Sequence, residues 1–296
     1  MAGLVGKRFE SPDEVRASTG GKGRVELVDL NGHAIGRVAA GRALVRVALC
    51  LGSTCAVLAL LSAGTAWAMT STFQAGYQAS HDAFRSVHAS WVMPSISCPG
   101  ESSPGYDGEA WFGVGMGPSN SRSEQVVARA FCTGTIASYV AYFEVGGPQA
   151  TGSAGGVLTP YPGDRLTASV TYLGVFPSGS YHLARYRFSI TDLTHPKSFT
   201  LVDSTDCLAQ SCDHSTAEVT AGIPFAGYSA LADYINVVFS GTGITDTTRH
   251  RGSFAKNQHW TVARLVEFDT STHSLAASPS ALTHHGTQFS DSWRAY

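Results

Sequence analysis

Three glutamates, Glu124, Glu144 and Glu218, lie within or at the edges of segments that favour β-strands. Two carboxylates that face each other across a cleft can serve as the acid and the base of a glycoside hydrolase. The spacing of these three residues does not show that any two converge, and a single strand glutamate is usually a solvated side chain. Glu218 stands out because it is the only charged residue in the segment S-T-A-E-V-T-A-G-I-P, which spans Ser215–Pro224.

The sequence lacks the motifs of several other catalytic plans. It contains no G-x-S-x-G, no H-E-x-x-H, no G-x-x-x-x-G-K-[ST] and no Asp-Thr-Gly or Asp-Ser-Gly. Ten of its eleven histidines follow residue 68, and none of them, including the pair His284 and His285, has a recurrent ligand spacing. We therefore expect neither a metal nor a cofactor, and we interpret the histidine pair as part of a polar loop.

Short apolar or alternating segments, separated by Gly, Pro, Ser and Asn, follow one another from Ser90 onward. In one of them Tyr186, Phe188 and Ile190 alternate with polar residues, which is the period of two expected of a half-buried strand. The pattern predicts an all-β fold, an antiparallel β-sandwich or barrel without long helices. The predicted strands are Ala89–Met93, Ala110–Gly115, Gln125–Cys132, Tyr139–Val145, Arg165–Leu173, Ala184–Thr191, Thr216–Thr220, Ile235–Ser240 and Val262–Phe268.

An export signal precedes these strands. Arg42 and Arg46 are followed by the apolar run Val47–Leu61 and then by small residues at Ala66 and Ala68. This is the pattern of a signal peptide cleaved after residue 68. The alternative is a single membrane anchor, because the run is near the minimum length for crossing a bilayer.

The domain organisation follows from this signal. We interpret residues 1–41 as an N-terminal extension upstream of the true start, the alternative being a fragment fused ahead of the signal. Residues 42–68 are the predicted signal peptide, 69–89 an exposed connector or short propeptide, and 90–296 the β-sandwich domain. The part after residue 68 carries 12 Lys or Arg and 17 Asp or Glu, a net charge of −5. Such a mildly acidic chain argues against nucleic acid or anionic lipid as a partner.

Four cysteines remain after the predicted cleavage. An even number in an exported protein indicates disulfides, and three pairings are possible. We predict Cys98 with Cys132 and Cys207 with Cys212, the alternative being free buried thiols. Their spacing fits no zinc motif.

Seven segments in order resemble the glutamic peptidases, or eqolisins, and particularly their bacterial members. Each motif is weak alone, but together they cover most of the chain from Ser90 to Trp293. The segments are S-W-V-M-P-S (90–95), A-W-F-G-V-G (110–115), S-E-Q-V-V-A-R (123–129), Y-V-A-Y-F-E-V-G-G-P (139–148), P-G-D-R-L-T-A-S-V (162–170), S-T-A-E-V-T-A-G-I-P (215–224) and L-T-H-H-G-T-Q-F-S-D-S-W (282–293).

The resemblance implies a concanavalin-like sandwich with a catalytic dyad on the concave face of one sheet. It places the family's catalytic glutamine at Gln125 and its catalytic glutamate at Glu218. Trp111 and Tyr142 would form aromatic cleft walls, with Tyr142 replacing a tryptophan, and Glu144 would match a polar residue that supports the site. A carboxylate can activate water and a neutral amide can stabilise the oxyanion without a cofactor.

The implied function is a secreted acid endopeptidase, since a reference glutamate titrates near pH 4.3. The expected partners are polypeptide substrates, and we expect a monomer with no nucleic acid and no stable membrane association after signal cleavage. Two acids of the family pattern are missing, one at Gly115 and one in V-T-A-G-I-P. Two alternatives stay open: a β-sandwich lectin or glycosidase with Glu144 as a second acid, or a catalytically silent relative that serves as a binding or structural surface protein.

Overall fold

The computed structural model describes residues 16–20, 24–28, 34–39, 67–71, 73–98, 108–117, 124–145, 157–179, 181–207, 214–223, 231–255, 258–269 and 274–294. Within these ranges the chain forms strands and one short 3₁₀ turn, His284–Gly286. The strands are β1 (Arg16–Gly20), β2 (Arg24–Val28), β3 (Ala34–Ala39), β4 (Trp67–Ser71), β5 (Gln74–Ser80), β6 (Phe84–Val92), β7 (Glu109–Gly117), β8 (Glu124–Thr133), β9 (Ile136–Glu144), β10 (Arg165–Ser178), β11 (Tyr181–Asp192), β12 (Lys197–Cys207), β13 (Thr216–Gly222), β14 (Asn236–Asp246), β15 (Arg251–Gly252), β16 (Thr261–Asp269), β17 (Ser274–Pro279) and β18 (Phe289–Trp293).

The first three strands form a unit of their own within residues 1–60. They make an antiparallel sheet in the order β1-β2-β3. The predicted extension therefore contains regular backbone structure where it is described.

The remaining strands belong to one continuous sheet. Its order is β12-β11-β10-β6-β14-β18-β17-β16-β5-β13-β7-β8-β9, with β15 added to β14 and β4 added in parallel to β16. We call β16-β5-β13-β7-β8-β9 the front sheet and β12-β11-β10-β6-β14-β18 the back sheet. Apart from β4, every strand pair in it is antiparallel.

Both sheets contribute to a single apolar core, as a β-sandwich requires. The front sheet buries Phe112, Val114 and Phe143, and the back sheet buries Tyr186 and Phe188. The rings of Phe143 and Phe188 lie 5.9 Å apart between their centroids. The alternation predicted for the strand around Tyr186 is thus the alternation of a core face and a solvent face.

The predicted all-β sandwich is confirmed, and each of the nine predicted strands overlaps an observed one. The prediction of an exposed connector or propeptide over 69–89 is wrong. Gln74–Ser80 is strand β5, hydrogen-bonded between β16 and β13 in the front sheet. Its residues Ala75, Tyr77 and Ala79 are buried in the core. The segment looked polar because its other face carries glutamines, so the domain begins well before residue 90.

One predicted disulfide is present. Cys98 and Cys132 are bonded, with their Cα atoms 5.6 Å apart, and the bond ties the segment after β6 to the end of β8. The second predicted pairing, of Cys207 with Cys212, lies outside the described residues, as does the apolar run of the predicted signal peptide. The described part of the chain contains no helix that is long and apolar enough to cross a bilayer.

Candidate active site

One transverse row of the front sheet brings the predicted site residues together. Going across the strands, Gln78 lies opposite Glu218, Glu218 opposite Gly115, Gly115 opposite Gln125, and Gln125 opposite Glu144. Directly opposed residues in an antiparallel sheet project their side chains from the same face. The row therefore places the carboxylate of Glu218 and the amide of Gln125 on one face, two strands apart.

Gly115 lies between these two side chains and leaves them room. A Cβ atom added at Gly115 would lie 2.8 Å from Oε1 of Glu218 and 3.2 Å from Cγ of Gln125. The first distance is shorter than an ordinary van der Waals contact, so the Glu218 carboxylate would have to shift to accommodate a side chain here. Glu218 and Gln125 thus approach each other over a position where this chain has only a hydrogen atom.

The second missing family acid has a related explanation. It corresponds to Gly222, at the end of β13, where an added Cβ would lie 2.1 Å from the carbonyl oxygen of Phe73. Strand β5 and the residue before it therefore occupy the space that a side chain would need. Gly222 meets backbone atoms and leaves no space for a side chain, whereas at Gly115 the nearest atom belongs to the movable carboxylate of Glu218.

Glu218 is held by neutral donors. Its side chain is almost fully buried, with 5 % of the residue exposed. Its Oε2 atom accepts hydrogen bonds from Nε2 of Gln74 at 3.1 Å and from Nε2 of Gln78 at 3.2 Å, both from β5. Oε1 is directed towards Gly115 and hence towards the Gln125 side of the row.

Glu144 ends the row beside Gln125 and is 3 % exposed. Its Oε2 atom is buried and has no hydrogen-bond partner among the described residues. Burial, with a smaller contribution from the negative charge of Glu109, raises the pKa of Glu144 to about 7. In acidic solution Glu144 is therefore protonated and can donate a hydrogen bond.

The predicted aromatic walls are in contact with each other. The rings of Trp111 and Tyr142 meet edge to face, with centroids 5.5 Å apart. Tyr142 belongs to the row next to that of Gln125, whereas Trp111 lies four residues along β7 from Gly115, or about 13 Å in an extended strand. Burial and the nearby carboxylate of Glu144 raise the pKa of Tyr142 well above its usual range, so its hydroxyl stays neutral.

An ion pair fixes the outer wall. Both carboxylate oxygens of buried Glu109 interact with the guanidinium of Arg129, whose Nη2 lies 2.9 Å from Oε2, and Oε1 also accepts the indole N–H of Trp111. Arg129 additionally stacks over the ring of Phe131, 4.6 Å from its centroid. These contacts hold the indole of Trp111 against the front sheet.

Sequence reasoning missed four residues that contact the predicted site: Gln74, Gln78, Glu109 and Arg129. The two glutamines alternate with Ala75, Tyr77 and Ala79, and this period of two was the available signal for a strand. Nothing in the sequence shows that this strand lies beside β13. Its partners follow from the register of residues about 140 positions away.

Two groups of side chains in the described part of the chain have ligand atoms close enough to hold a metal ion, but neither contains a residue of the row. In each group a histidine contacts a buried aspartate: Nδ1 of His195 is 3.1 Å from Asp164, and Nδ1 of His250 is 2.8 Å from Asp246. The full groups are Asp164, Asp192 and His195, and Asp246, His250 and His259. The pair His284 and His285 belongs to neither group and lies exposed in the 3₁₀ turn.

The fold and the site together define a class of protein. A scytalido-glutamic peptidase crystallised with a peptide-based transition-state analogue has a similar structure, with a TM-score of 0.56 over 75 % of this chain and 98 % of that chain, at 17 % identity. SCP-B, an eqolisin in complex with the tripeptide Ala-Ile-His, has a TM-score of 0.54 over the same shares, at 16 % identity. At these identities the likeness shows a common fold.

Membership is shown by sequence. No curated protein matches the chain as a close relative, but the profile of the peptidase A4 family matches residues 72–281. The chain therefore belongs to the peptidase A4 family, the glutamic peptidases or eqolisins, and is a hydrolase of the glutamic peptidase type. The family match begins at residue 72, just before β5, in agreement with β5 being part of the domain.

Proposed function

We propose that this protein is an exported acid endopeptidase that cleaves peptide bonds with Glu218 as general acid and base and Gln125 as oxyanion donor. The observation that supports the dyad is the transverse row, in which Glu218 and Gln125 flank Gly115 and converge over it. A carboxylate and a neutral amide donor on the same face are the two groups that hydrolysis of an amide requires.

The reaction proceeds in two steps. Glu218 accepts a proton from a water molecule as the water oxygen attacks the carbonyl carbon of the peptide bond. The carbonyl oxygen gains the negative charge and accepts a hydrogen bond from the Gln125 amide. When the C–N bond then breaks, Glu218 returns the proton to the departing amine, and the products are a carboxylic acid and an amine. The acid and base role is worth about 10² to 10⁴ in rate.

Glu144 supports the orientation of Gln125. An amide group presents both a donor and an acceptor end, and only the N–H end stabilises an oxyanion. The neighbouring carboxyl of Glu144 is protonated in acid and can donate to the carbonyl end of the Gln125 amide, leaving the N–H end for the substrate. Acidic solution therefore favours the orientation of Gln125 in which its N–H end faces the substrate.

Trp111 and Tyr142 provide a site for a substrate side chain. They lie on the dyad's face of the front sheet, Tyr142 two residues along β9 from Glu144 and Trp111 four residues along β7 from Gly115. An extended peptide rises about 3.3 Å per residue, so one that runs parallel to the strands from the dyad would reach Trp111 after about four residues. The pair is suited to apolar or aromatic substrate side chains.

The test is hydrolysis of an acid-denatured protein substrate at about pH 3 to 4, a range set by the reference titration of glutamate. We expect Glu218→Gln to lower kcat at least about 10³-fold and Gln125→Ala about 10² to 10³-fold. Asp203→Asn, on β12 of the back sheet, is the matched control and should retain full activity. Wild-type activity in either site variant, or no hydrolysis by the wild type at any acidic pH, would contradict the proposal.

Export is the second part of the proposal and has its own measurement. The signal-like segment 42–68 predicts a secreted protein whose first residue is Met69. N-terminal sequencing of protein recovered from the culture medium of an expressing cell should give Met-Thr-Ser-Thr. Retention of the chain in the membrane fraction would favour the anchor instead.

The glycosidase alternative receives no support from the register. Glu144 is three strands from Glu218, a separation of about 14 Å at the usual spacing between strands. Paired carboxylates of glycosidases lie about 5 to 9.5 Å apart. The silent-relative alternative is decided by the hydrolysis test itself.

A further inference from the structure

We propose that Gln74 and Gln78 are positioning residues for Glu218: a pair of neutral amide donors on β5 that occupies Oε2 and leaves Oε1 as the oxygen that exchanges protons with water. This inference rests on the proposed function, because it names which oxygen of Glu218 reacts and what holds it. It assigns a role to a strand that the sequence motifs of the site do not include.

The first observation behind this inference is the pair of hydrogen bonds to Oε2 of Glu218. Its two hydrogen bonds, of 3.1 and 3.2 Å, come from Nε2 of Gln74 and Nε2 of Gln78. An amide can approach a carboxylate oxygen favourably only with its N–H end, so the carboxylate fixes the orientation of both glutamines. With two donors at Oε2, the plane of the carboxylate is fixed by interactions from two points on the same strand.

The backbone of β5 explains how both glutamines reach one oxygen atom. They are four residues apart on the same face of the strand, with Gly76 between them. A Cβ atom at Gly76 would lie 2.2 Å from the carbonyl oxygen of Val219 on β13. Because Gly76 has no side chain, β5 lies close to β13, and the two amides converge on Glu218 from either side of the glycine.

The second observation behind this inference is the position of Oε1 of Glu218. This oxygen lies on the side of Gly115, 2.8 Å from the point where a Cβ would be. Gly115 and Gly222 stand where the glutamic peptidase pattern has acids, so β7 and the end of β13 supply no acidic side chain at these two positions. The hydrogen-bonded support of Glu218 comes from β5 instead, and it is uncharged.

The two amides that hold Glu218 are uncharged, and this affects how the site responds to pH. An ionisable partner would titrate in the acidic range in which the enzyme is proposed to work and would change the state of Glu218 with pH. Amides do not titrate, so Gln74 and Gln78 offer the same two N–H donors throughout that range. The shape of the pH profile should then depend on the identity of residues 74 and 78.

The experiment uses the full chain with Gln74→Met, Gln78→Met and the double variant, since methionine keeps the approximate volume and removes the N–H donor. We expect kcat to fall about tenfold for each and about a hundredfold for the double variant, with KM within twofold of wild type, as for a misplaced catalytic group. Gln258→Met, at an exposed position, is the matched control. Wild-type kcat in the double variant overturns the inference.

Gln78→Glu separates positioning from a merely structural role. The introduced carboxyl can donate to Oε2 only while it is protonated, so kcat should be near wild type at about pH 3 and should fall to the level of Gln78→Met by about pH 6. A profile with the same shape as that of wild type overturns the inference, even if the thermal stability has changed.

Crystal structures of the wild type and of Gln74→Met/Gln78→Met provide a readout that does not need activity. We expect the Glu218 side chain to leave its place over Gly115 in the double variant, and an unchanged side chain overturns the inference. If the wild type shows no Glu218-dependent hydrolysis, the proposed function fails, while these two structures still decide whether the glutamines hold Glu218.

Discussion

Glu218 and Glu109 are both buried carboxylates on the same face of the front sheet, yet their surroundings differ in charge. Glu109 is held by the guanidinium of Arg129 and the indole of Trp111, whereas Glu218 is held by two neutral amides. A buried carboxylate in a close ion pair is costly to protonate, because its cation would be left without a partner. Glu218 has no such cation beside it, and its two amide partners carry no charge, as the proposed role of Glu218 requires.

Exchanging each of the two glutamates for glutamine tests most directly whether Glu218 and Glu109 differ in role. We expect Glu218→Gln to lose activity at least about 10³-fold with little change in melting temperature. Glu109→Gln should lose no more than about tenfold, because it only loosens the outer wall. Steady-state kinetics together with thermal melts would measure both. Equal losses of activity would mean that the surroundings of the two residues do not distinguish their roles.

Glu144 is a third buried carboxylate, and its contribution to stability depends on pH. Its pKa is about 7 in the folded protein, against an ordinary value of 4.5, because of burial. Its contribution to stability is therefore full below about pH 4.5 and is lost as the pH rises through 7, up to about 3 kcal/mol. Burial also raises the pKa of Asp291 in the interior, which acts in the same direction.

Thermal unfolding between pH 4 and 8 tests this expectation. The melting temperature of the wild type should fall between about pH 4.5 and 7 and level off above pH 7, and Glu144→Gln should show a smaller fall, because the amide remains neutral. A melting temperature that rises with pH in the wild type, or a variant with the same slope, would contradict the assignment.

A negative charge placed beside Glu218 would create surroundings unlike the neutral amides that now hold Glu218 and unlike the cation that holds Glu109. Gly115→Asp restores the acid of the family pattern, but its Cβ would lie 2.8 Å from Oε1 of Glu218 and would displace that carboxylate. We expect kcat to fall about a hundredfold, as for a misplaced reacting group, with Gly134→Asp as a control at a turn glycine without neighbours within 4 Å. Gly134 has a positive φ whereas Gly115 does not, so any cost of backbone strain falls on the control alone. Higher activity in Gly115→Asp would show that the neutral support is not the working arrangement.

The smallest expected effect is the coupling within the ion pair. Arg129 is 35 % exposed at its side chain, so solvent weakens its attraction to Glu109. A double-mutant cycle of Glu109→Gln and Arg129→Met should give a coupling energy of about 1 to 2 kcal/mol in chemical unfolding. The same cycle with Glu218→Gln should give a coupling near zero. Similar values in both cycles would remove the contrast between the two carboxylates.

The sequence was informative where alternation was strong and residue types were unambiguous. The strands that carry Gln125, Glu144 and Glu218 were predicted, as was the disulfide between Cys98 and Cys132. Strand β17, with the sequence S-L-A-A-S-P, was missed because alanine, serine and proline are weak strand formers. Strand β5 was not predicted, and its half-buried glutamines are held by hydrogen bonds to Glu218, which lies far away in the sequence.

The supporting residues of the site could not be found from local sequence. Gln74 and Gln78 precede Glu218 by 144 and 140 residues, and Glu109 and Arg129 are 20 residues apart. Their contacts follow from strand order and register, which local propensity does not determine. What the sequence did contain was the pair of missing acids. The structure leaves no room for a side chain at Gly222, and at Gly115 a side chain would displace the carboxylate of Glu218.

The distance along the chain between β5 and its neighbours also bears on how the domain folds. Strand β5 is among the first parts of the domain to be synthesised, but it pairs with β13 and β16, and β16 ends only at Asp269. Contacts between such distant segments form late in folding, since the intervening chain must first close into a loop. A chain that ends before β16 therefore lacks one of the two strands that pair with β5, the strand whose glutamines contact Glu218.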